Sequence, residues 1–116
     1  MYEINGTTIR LTRGDTFICT VSLTKDGTAY TPVEGDSIRF AMKRNVLNVS
    51  KTAYIDTEPL IQKTIPINTM ILQIDPADTA SLPFGEYVYD MEITFANGSV
   101  DTFITQAKFV ILPEVF

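Results

Sequence analysis

Apolar residues recur at every second position over several segments of this chain, which is the pattern of strands that bury one face. Three stripes show it most clearly: Phe17, Cys19, Val21 and Leu23; Ile38, Phe40 and Met42; and Tyr87, Tyr89, Met91, Ile93 and Phe95. Successive side chains of a strand point to opposite faces, so the members of each stripe share one face. We expect these three faces to line the core.

Shorter segments with strand-like composition lie between the stripes, at residues 8–11, 60–65, 70–74, 100–104 and 108–112. Together with the stripes these segments give eight or so short strands, which predict a sandwich or a barrel. One helical turn is expected near residues 76–81, because Asp75 can cap it and Pro76 suits a first helical position. The turn is expected to end by Leu82-Pro83.

Turn residues connect the predicted strands. Asp26-Gly27 and Asn97-Gly98 are two-residue hairpin signals, because both dipeptides accept positive φ. The segment from Leu82 to Tyr87 has the spacing of a tyrosine corner, in which a phenol hydroxyl hydrogen-bonds back to the preceding turn. The residues thus predict one all-β domain over residues 1–116, an antiparallel sandwich or barrel of about seven to nine strands.

A two-residue loop at Asn97-Gly98 fixes the pairing of the strands around it. Phe95 then faces Val100 and Met91 faces Ile104, which places Val100 and Ile104 on the core face. The same count places Phe103 on the outer face with Val88, Asp90 and Glu92. Phe109 and Ile111 are out of phase with Ile104, so we expect a bulge or strand break near residues 105–107.

An apolar side chain on an outer face is a candidate for contact with a partner. Val88 and Phe103 form such a candidate surface, and Tyr54 is the candidate aromatic in a long loop expected at residues 44–58. The alternative is that a neighbouring strand or loop covers Phe103.

Composition and charge exclude several classes of function. The 116 residues contain no His and one Cys and carry a net charge of −5. Without His, the usual proton carrier near neutral pH and the commonest zinc ligand are both missing. An acidic chain is poorly suited to nucleic acid. We expect no membrane span and no cleaved signal peptide, because the apolar runs are too short for either.

Other residues with possible chemistry have simpler structural interpretations. Cys19 lies in an apolar stripe and is expected to be a buried, unreactive thiol. Arg13-Gly14-Asp15 matches a cell-adhesion tripeptide, but Gly14 is expected to permit a turn there. Four acidic pairs lack the ligand spacing of a calcium loop: Glu34 and Asp36, Asp56 and Glu58, Asp75 and Asp78, and Asp90 and Glu92. We expect Asp90 and Glu92 to be solvated and predict no catalytic residue, metal site or cofactor.

Several short motifs together resemble a known group of proteins. They are Leu11-Thr12-Arg13-Gly14-Asp15-Thr16, Asp26-Gly27 with Tyr30-Thr31-Pro32, Gly35-Asp36-Ser37-Ile38-Arg39-Phe40-Ala41-Met42-Lys43, Asp75-Pro76-Ala77-Asp78-Thr79, Leu82-Pro83-Phe84-Gly85-Glu86-Tyr87-Val88-Tyr89-Asp90 and Asn97-Gly98. In these motifs the chain resembles small tail-associated proteins of phages and prophages of Gram-positive bacteria. It is similar to the N-terminal domain of siphophage upper baseplate proteins.

The resemblance implies an immunoglobulin-like sandwich that builds part of a tail or baseplate without catalysing a reaction. Its implied partners are other tail or baseplate proteins and further copies of itself, with no nucleic acid, membrane or small-molecule substrate. The implied location is the host cytoplasm during assembly and then the virion. The alternative function is a small carbohydrate- or host-surface-binding module.

Overall fold

The computed structural model describes residues 2–5, 7–44 and 59–114, and of residues 2–5 it describes only the backbone. Tyr54 and most of the predicted loop at residues 44–58, with the acidic pair Asp56 and Glu58, lie outside this part of the chain. No helix in the described ranges is long and apolar enough to cross a bilayer.

The described residues form ten strands and one short helix, which confirms an all-β protein. The elements are β1 (Tyr2–Asn5), β2 (Thr8–Thr12), β3 (Phe17–Thr20), β4 (Leu23–Lys25), β5 (Thr28–Tyr30), β6 (Ser37–Arg44), β7 (Ile61–Ile65), β8 (Ile71–Ile74), α1 (Pro76–Thr79), β9 (Gly85–Thr94) and β10 (Val100–Leu112). The first long stripe divides into β3 and β4, and the last two predicted strands are one continuous strand, β10.

Six strands form one mixed sheet in the order β1-β2-β10-β9-β6-β7. Its neighbours are antiparallel except β2 and β10, which run parallel. The pairs β3–β8 and β4–β5 form two smaller antiparallel sheets. An entirely antiparallel arrangement was predicted, and the parallel pair corrects it. A short turn between two strands makes them antiparallel, but β2 and β10 are separated by most of the chain and can therefore pair in parallel.

The core lies between the six-stranded sheet and the β3–β8 pair. Phe40, Phe17 and Phe109 are fully buried, and the ring of Phe17 lies 6.5 Å from that of Phe109 between centroids. The Phe109 ring also lies 6.3 Å from the rings of Phe40 and Tyr89. The stripes on β6 and β9 face this cluster, as their period of two predicts, with Phe95 only partly buried at the end.

The two predicted hairpins both form, but only one has the predicted loop. Asp26 and Gly27, with φ of 54° and 77°, make a two-residue loop between β4 and β5. The loop before β10 has three residues, because the Phe95 amide donates to the Ser99 carbonyl at 2.8 Å. Gly98, at φ 91°, takes the left-handed position that this loop requires.

The extra loop residue shifts the start of β10 by one position. Val100 pairs with Thr94 instead of Phe95, and Val100 is 58% exposed rather than in the core. An irregularity between Thr102 and Ile104 then restores the predicted pairing of Ile104 with Met91.

Phe103 is the residue that this irregularity adds, and it does not lie on the predicted outer face. It packs against the buried cluster and is partly buried. Two residues of a bulged strand oppose one residue of its neighbour, so the alternation of faces fails at that point. The prediction for Phe103 assumed uninterrupted alternation and was wrong for that reason.

A second irregularity occurs between Ile104 and Ala107, where the sequence predicts it. Gln106 has φ 51°, and its amide donates to Asp90 Oδ1 at 2.6 Å. The change of phase turns Phe109 and Ile111 into the core, where both are buried. Asp90 is therefore not simply solvated, as was predicted, but holds the backbone of the neighbouring strand.

The turn before β9 confirms two local predictions. Helix α1 lies within the predicted range, and the Asp75 amide donates to the Asp78 carboxylate at 2.7 Å. The Tyr87 hydroxyl donates to the Pro83 carbonyl at 2.6 Å, which is the hydrogen bond of a tyrosine corner.

Candidate functional site

The residues predicted to form a partner surface are not brought together. Val88 is 9% exposed and lies between Lys43 and Lys108 of the adjacent strands. It alternates with Tyr87 and Tyr89, whose side chains are in the core, and so lies on the opposite face from Phe103. Val88 and Phe103 therefore do not form one surface, and Tyr54 lies outside the described residues.

A groove of about 290 Å³ lies instead between the β4–β5 hairpin and the β9–β10 hairpin. Leu23, Ile93, Phe95 and Phe103 supply its apolar walls. The sequence marks Leu23, Ile93 and Phe95 as core-facing but does not show that the end of the sheet is left open here. The groove forms because the β4–β5 hairpin covers only part of the six-stranded sheet.

Aromatic and cationic groups close one side of this groove. Tyr30 meets Phe95 edge to face, with ring centroids 5.7 Å apart. Lys25 Nζ lies 4.8 Å from the centroid of Phe95 and 5.6 Å from that of Tyr30. The ammonium group is thus held over the rings by a cation–π interaction.

Asp36 anchors this closed side. Its carboxylate accepts hydrogen bonds from the Tyr30 hydroxyl at 2.5 Å and from the Val33 and Ala96 amides, both at 3.0 Å. The Tyr30 hydroxyl and then the Val33 amide lower the pKa of Asp36; partial burial opposes them, and the Ala96 amide and Lys25 add to the lowering. Asp36, 8% exposed, therefore joins its own turn to β5 and to the loop between β9 and β10.

Replacing Asp36 with asparagine is expected to lower the free energy of unfolding at pH 7. A carboxylate whose folded-state pKa is lowered stabilises the protein above its unfolded pKa near 3.9, and this contribution is lost as pH falls through the folded pKa. The difference between wild type and Asp36→Asn in urea unfolding should therefore shrink below about pH 4. Glu34→Gln, an exposed change in the same turn, should have little effect; equal effects of the two would contradict this role.

Most other acidic side chains that suggested chemistry have structural partners. Glu92 Oε1 accepts from Arg39 Nε at 2.7 Å, so Glu92 is paired across the strands and not simply solvated. Asp78 lies 2.8 Å from Lys63 Nζ. In the described ranges no group of three His, Cys, Asp or Glu side chains is placed to hold a metal ion.

The Arg13-Gly14-Asp15 tripeptide forms the predicted turn, with Gly14 at φ 84°. Arg13 Nη2 and Nε donate to the Glu114 carboxylate at 2.7 and 3.1 Å, and Nη1 donates to the Leu82 carbonyl at 3.2 Å. The guanidinium also lies 4.2 Å from the centroid of the Phe84 ring. These contacts fasten the end of β10 to the turn after β2.

Cys19 lies beside a second hollow, of about 170 Å³, lined also by Tyr89 and Met91. Burial raises the pKa of its thiol, which is the opposite of what a nucleophilic cysteine requires. Burial likewise raises the pKa of Tyr89 to about 12, and the Tyr89 hydroxyl donates to the Thr7 carbonyl. These groups have the properties expected of structural residues.

The fold and these contacts define the chain as an all-β protein with an apolar groove at one end of its large sheet. No protein-family model, curated protein sequence or solved structure matches the chain.

Proposed function

We propose that this chain is an immunoglobulin-like module that acts through protein–protein contacts in the assembly of a phage or prophage tail or baseplate. The resemblance of its sequence motifs to upper baseplate proteins supports the biological setting. The observation that carries the contact function is the incomplete end of the large sheet, where strand edges and an apolar groove lie together.

The strand arrangement supports the immunoglobulin-like part of the proposal. The row β10-β9-β6-β7 and the opposing β3–β8 pair have the order of the two sheets of a variable-type domain. The Tyr of the tyrosine corner, Tyr87, lies near the start of β9, as it does in the corresponding strand of such domains. Tyr89 stands two residues after Tyr87, where such domains have their second disulfide cysteine, and Cys19 lines the same hollow as Tyr89.

The use of charged side chains supports a non-catalytic role. Asp36, Asp90 and Glu114 are committed to hydrogen bonds that join turns or hold a bulge. A catalytic site needs polar groups that converge on space for a substrate. The carboxylates of Asp36, Asp90 and Glu114 instead bind other groups of the protein and do not converge on such a space.

A carbohydrate- or host-surface-binding module is the other candidate, and Tyr30, Phe95 and Phe103 around the groove favour it. A sugar that stacks on an aromatic ring needs an open ring face. Because the Lys25 ammonium lies over Phe95 and Tyr30, the protein-contact function has the stronger support.

Size-exclusion chromatography with light scattering tests the proposed function. The full chain is examined alone and mixed with the products of neighbouring tail genes. We expect either a mass above the 12.9 kDa of one chain or co-elution with at least one tail protein. A chain that stays monomeric and binds none of these proteins would falsify the proposal.

A further inference from the structure

We infer that the groove between β4 and β10 receives an extended segment of a partner protein, which places an apolar side chain in the groove and a basic side chain beside Asp26 and Asp101. This inference rests on the proposed function and deepens it, because it assigns the contact surface and the chemistry of the partner. Asp26 and Asp101 lie among the residues that line the groove.

Main-chain groups along both sides of the groove suit an extended partner. Among the described residues, β10 pairs with β2 only from Phe109 to Leu112, so the edge of its first half carries no strand. Lys25 and Thr28 close a two-residue hairpin, which turns the main-chain groups of Thr24 away from β5. Phe95 and Ser99 are a hydrogen-bonded pair, and bonded and non-bonded pairs alternate along the two strands from there. The main-chain groups of Val100 and Thr102 therefore also point away from β9.

The walls of the groove suit an apolar side chain. Leu23 and Ile93 form buried parts of the wall, while Phe95 and Phe103 are partly exposed to the groove. An apolar side chain that enters this space removes its own surface and that of the two rings from water. In recognition by strand addition, main-chain bonds supply affinity and such side-chain spaces supply specificity.

The negative charge at the rim of the groove favours a basic residue next to the apolar residue of the partner segment. Asp26 and Asp101 are exposed, and the carboxylate of neither makes a hydrogen bond or ion pair with another described residue. Lys25, the cation closest in sequence, is turned to the rings of Phe95 and Tyr30. The rim therefore presents two unpaired carboxylates, and a Lys or Arg side chain is their electrostatic complement.

A second copy of this chain fits the groove less well than a different protein. The bulge at Phe103 and the charge of Asp101 interrupt the edge of β10, and both features disfavour pairing of identical strands. The chain as a whole carries a net charge of −5, so a second copy brings mostly like charge to an acidic rim.

Selection from a displayed library of random twelve-residue peptides on the immobilised full chain tests this inference. We expect the enriched peptides to place Lys or Arg next to Leu, Ile, Val or Phe. In ¹⁵N-resolved NMR spectra they should shift the signals of residues 23–26 and 99–103. Enrichment without basic residues, or shifts confined to other parts of the chain, would overturn the inference.

Charge removal at the rim provides the matched comparison. The double variant Asp26→Asn/Asp101→Asn should bind the selected peptides about five- to tenfold more weakly, the effect of losing two exposed ion pairs. Asn also accepts the positive φ of position 26, so the hairpin is retained, and a circular dichroism spectrum checks the fold. Glu86→Gln removes a charge at the other end of β9 and should leave peptide binding unchanged; equal weakening by both would refute the assigned site.

The outcomes separate this inference from the proposed function. If tail proteins bind the wild type and the double variant equally, the groove is not the contact surface although the assembly function stands. If selected peptides occupy the groove but no tail protein binds, the groove stands and the tail assignment fails. Binding of glycans in place of peptides on an array would refute the inference and favour the carbohydrate-binding alternative.

Discussion

Replacing Phe109 with alanine is expected to lower the free energy of unfolding by about 3–5 kcal/mol. Phe109 is fully buried, and its ring contacts aromatic rings from β3, β6 and β9, so the substitution leaves a cavity where both sheets meet. Domains of this size are stable by only about 5–15 kcal/mol, so the loss is a large fraction of the total. Urea unfolding followed by circular dichroism measures it.

Phe84→Ala is the matched control, because it removes the same side chain from a 48% exposed position. There the loss consists mainly of the stacking with Arg13 and should stay below about 1 kcal/mol. If Phe109→Ala does not fold, Phe109→Leu fills part of the space and should give a smaller, measurable loss. Similar losses for Phe109→Ala and Phe84→Ala would show that Phe109 is not at the centre of the core.

Replacing Gly35 with alanine is expected to cost about 2–4 kcal/mol, from backbone strain together with a steric clash. Gly35 has φ 97°, which an L-residue rarely adopts. A Cβ at this position would lie 2.8 Å from the Cβ of Ala96. Thermal or urea unfolding of the variant at neutral pH measures the combined effect.

Two further variants separate strain from clash. Gly14→Ala, at φ 84° with no atom of a non-neighbouring residue within 4 Å of the added Cβ, should cost only the backbone strain of about 1–2 kcal/mol. Ala96→Gly in the Gly35→Ala background should recover part of the loss, because it removes the atom that clashes. An additive double-mutant cycle would argue that the two residues do not meet.

The alternation of apolar residues predicts the strands well where one face of a strand is buried and the backbone is regular. Phe40 on β6 and Met91 on β9 are buried as predicted, because a period of two is a property of the strand itself. The hydrogen bond of the tyrosine corner was equally predictable. The Tyr87 hydroxyl and its acceptor are four residues apart, so the spacing in the sequence carries the geometry.

Features that depend on distant parts of the chain could not be read from the pattern. The three-residue loop before β10 and the two-residue alternative share the same Asn97-Gly98 signal, and the choice between them determined the error at Val100. The face of Phe103 depends on a bulge that no local motif marks.

The candidate groove was not predicted for a related reason. Its two sides come from β4 and β10, and only the pairing of all the strands shows that the β4–β5 hairpin stops beside an uncovered edge. Asp36 is a similar case. Its partners Tyr30 and Val33 are close in sequence, but the Ala96 amide is 60 residues away.

The parallel pairing of β2 with β10 has a consequence for the order of folding during synthesis. Ile9 lies beside Phe109 and Leu11 beside Ile111. β2 can therefore pair with β10 only after nearly the whole domain has been translated. Contacts this distant in sequence require a long loop to close and slow the folding of a domain. On the ribosome, β2 therefore stays without this neighbour until residues up to Leu112 have left the exit tunnel, and the large sheet is completed only after that.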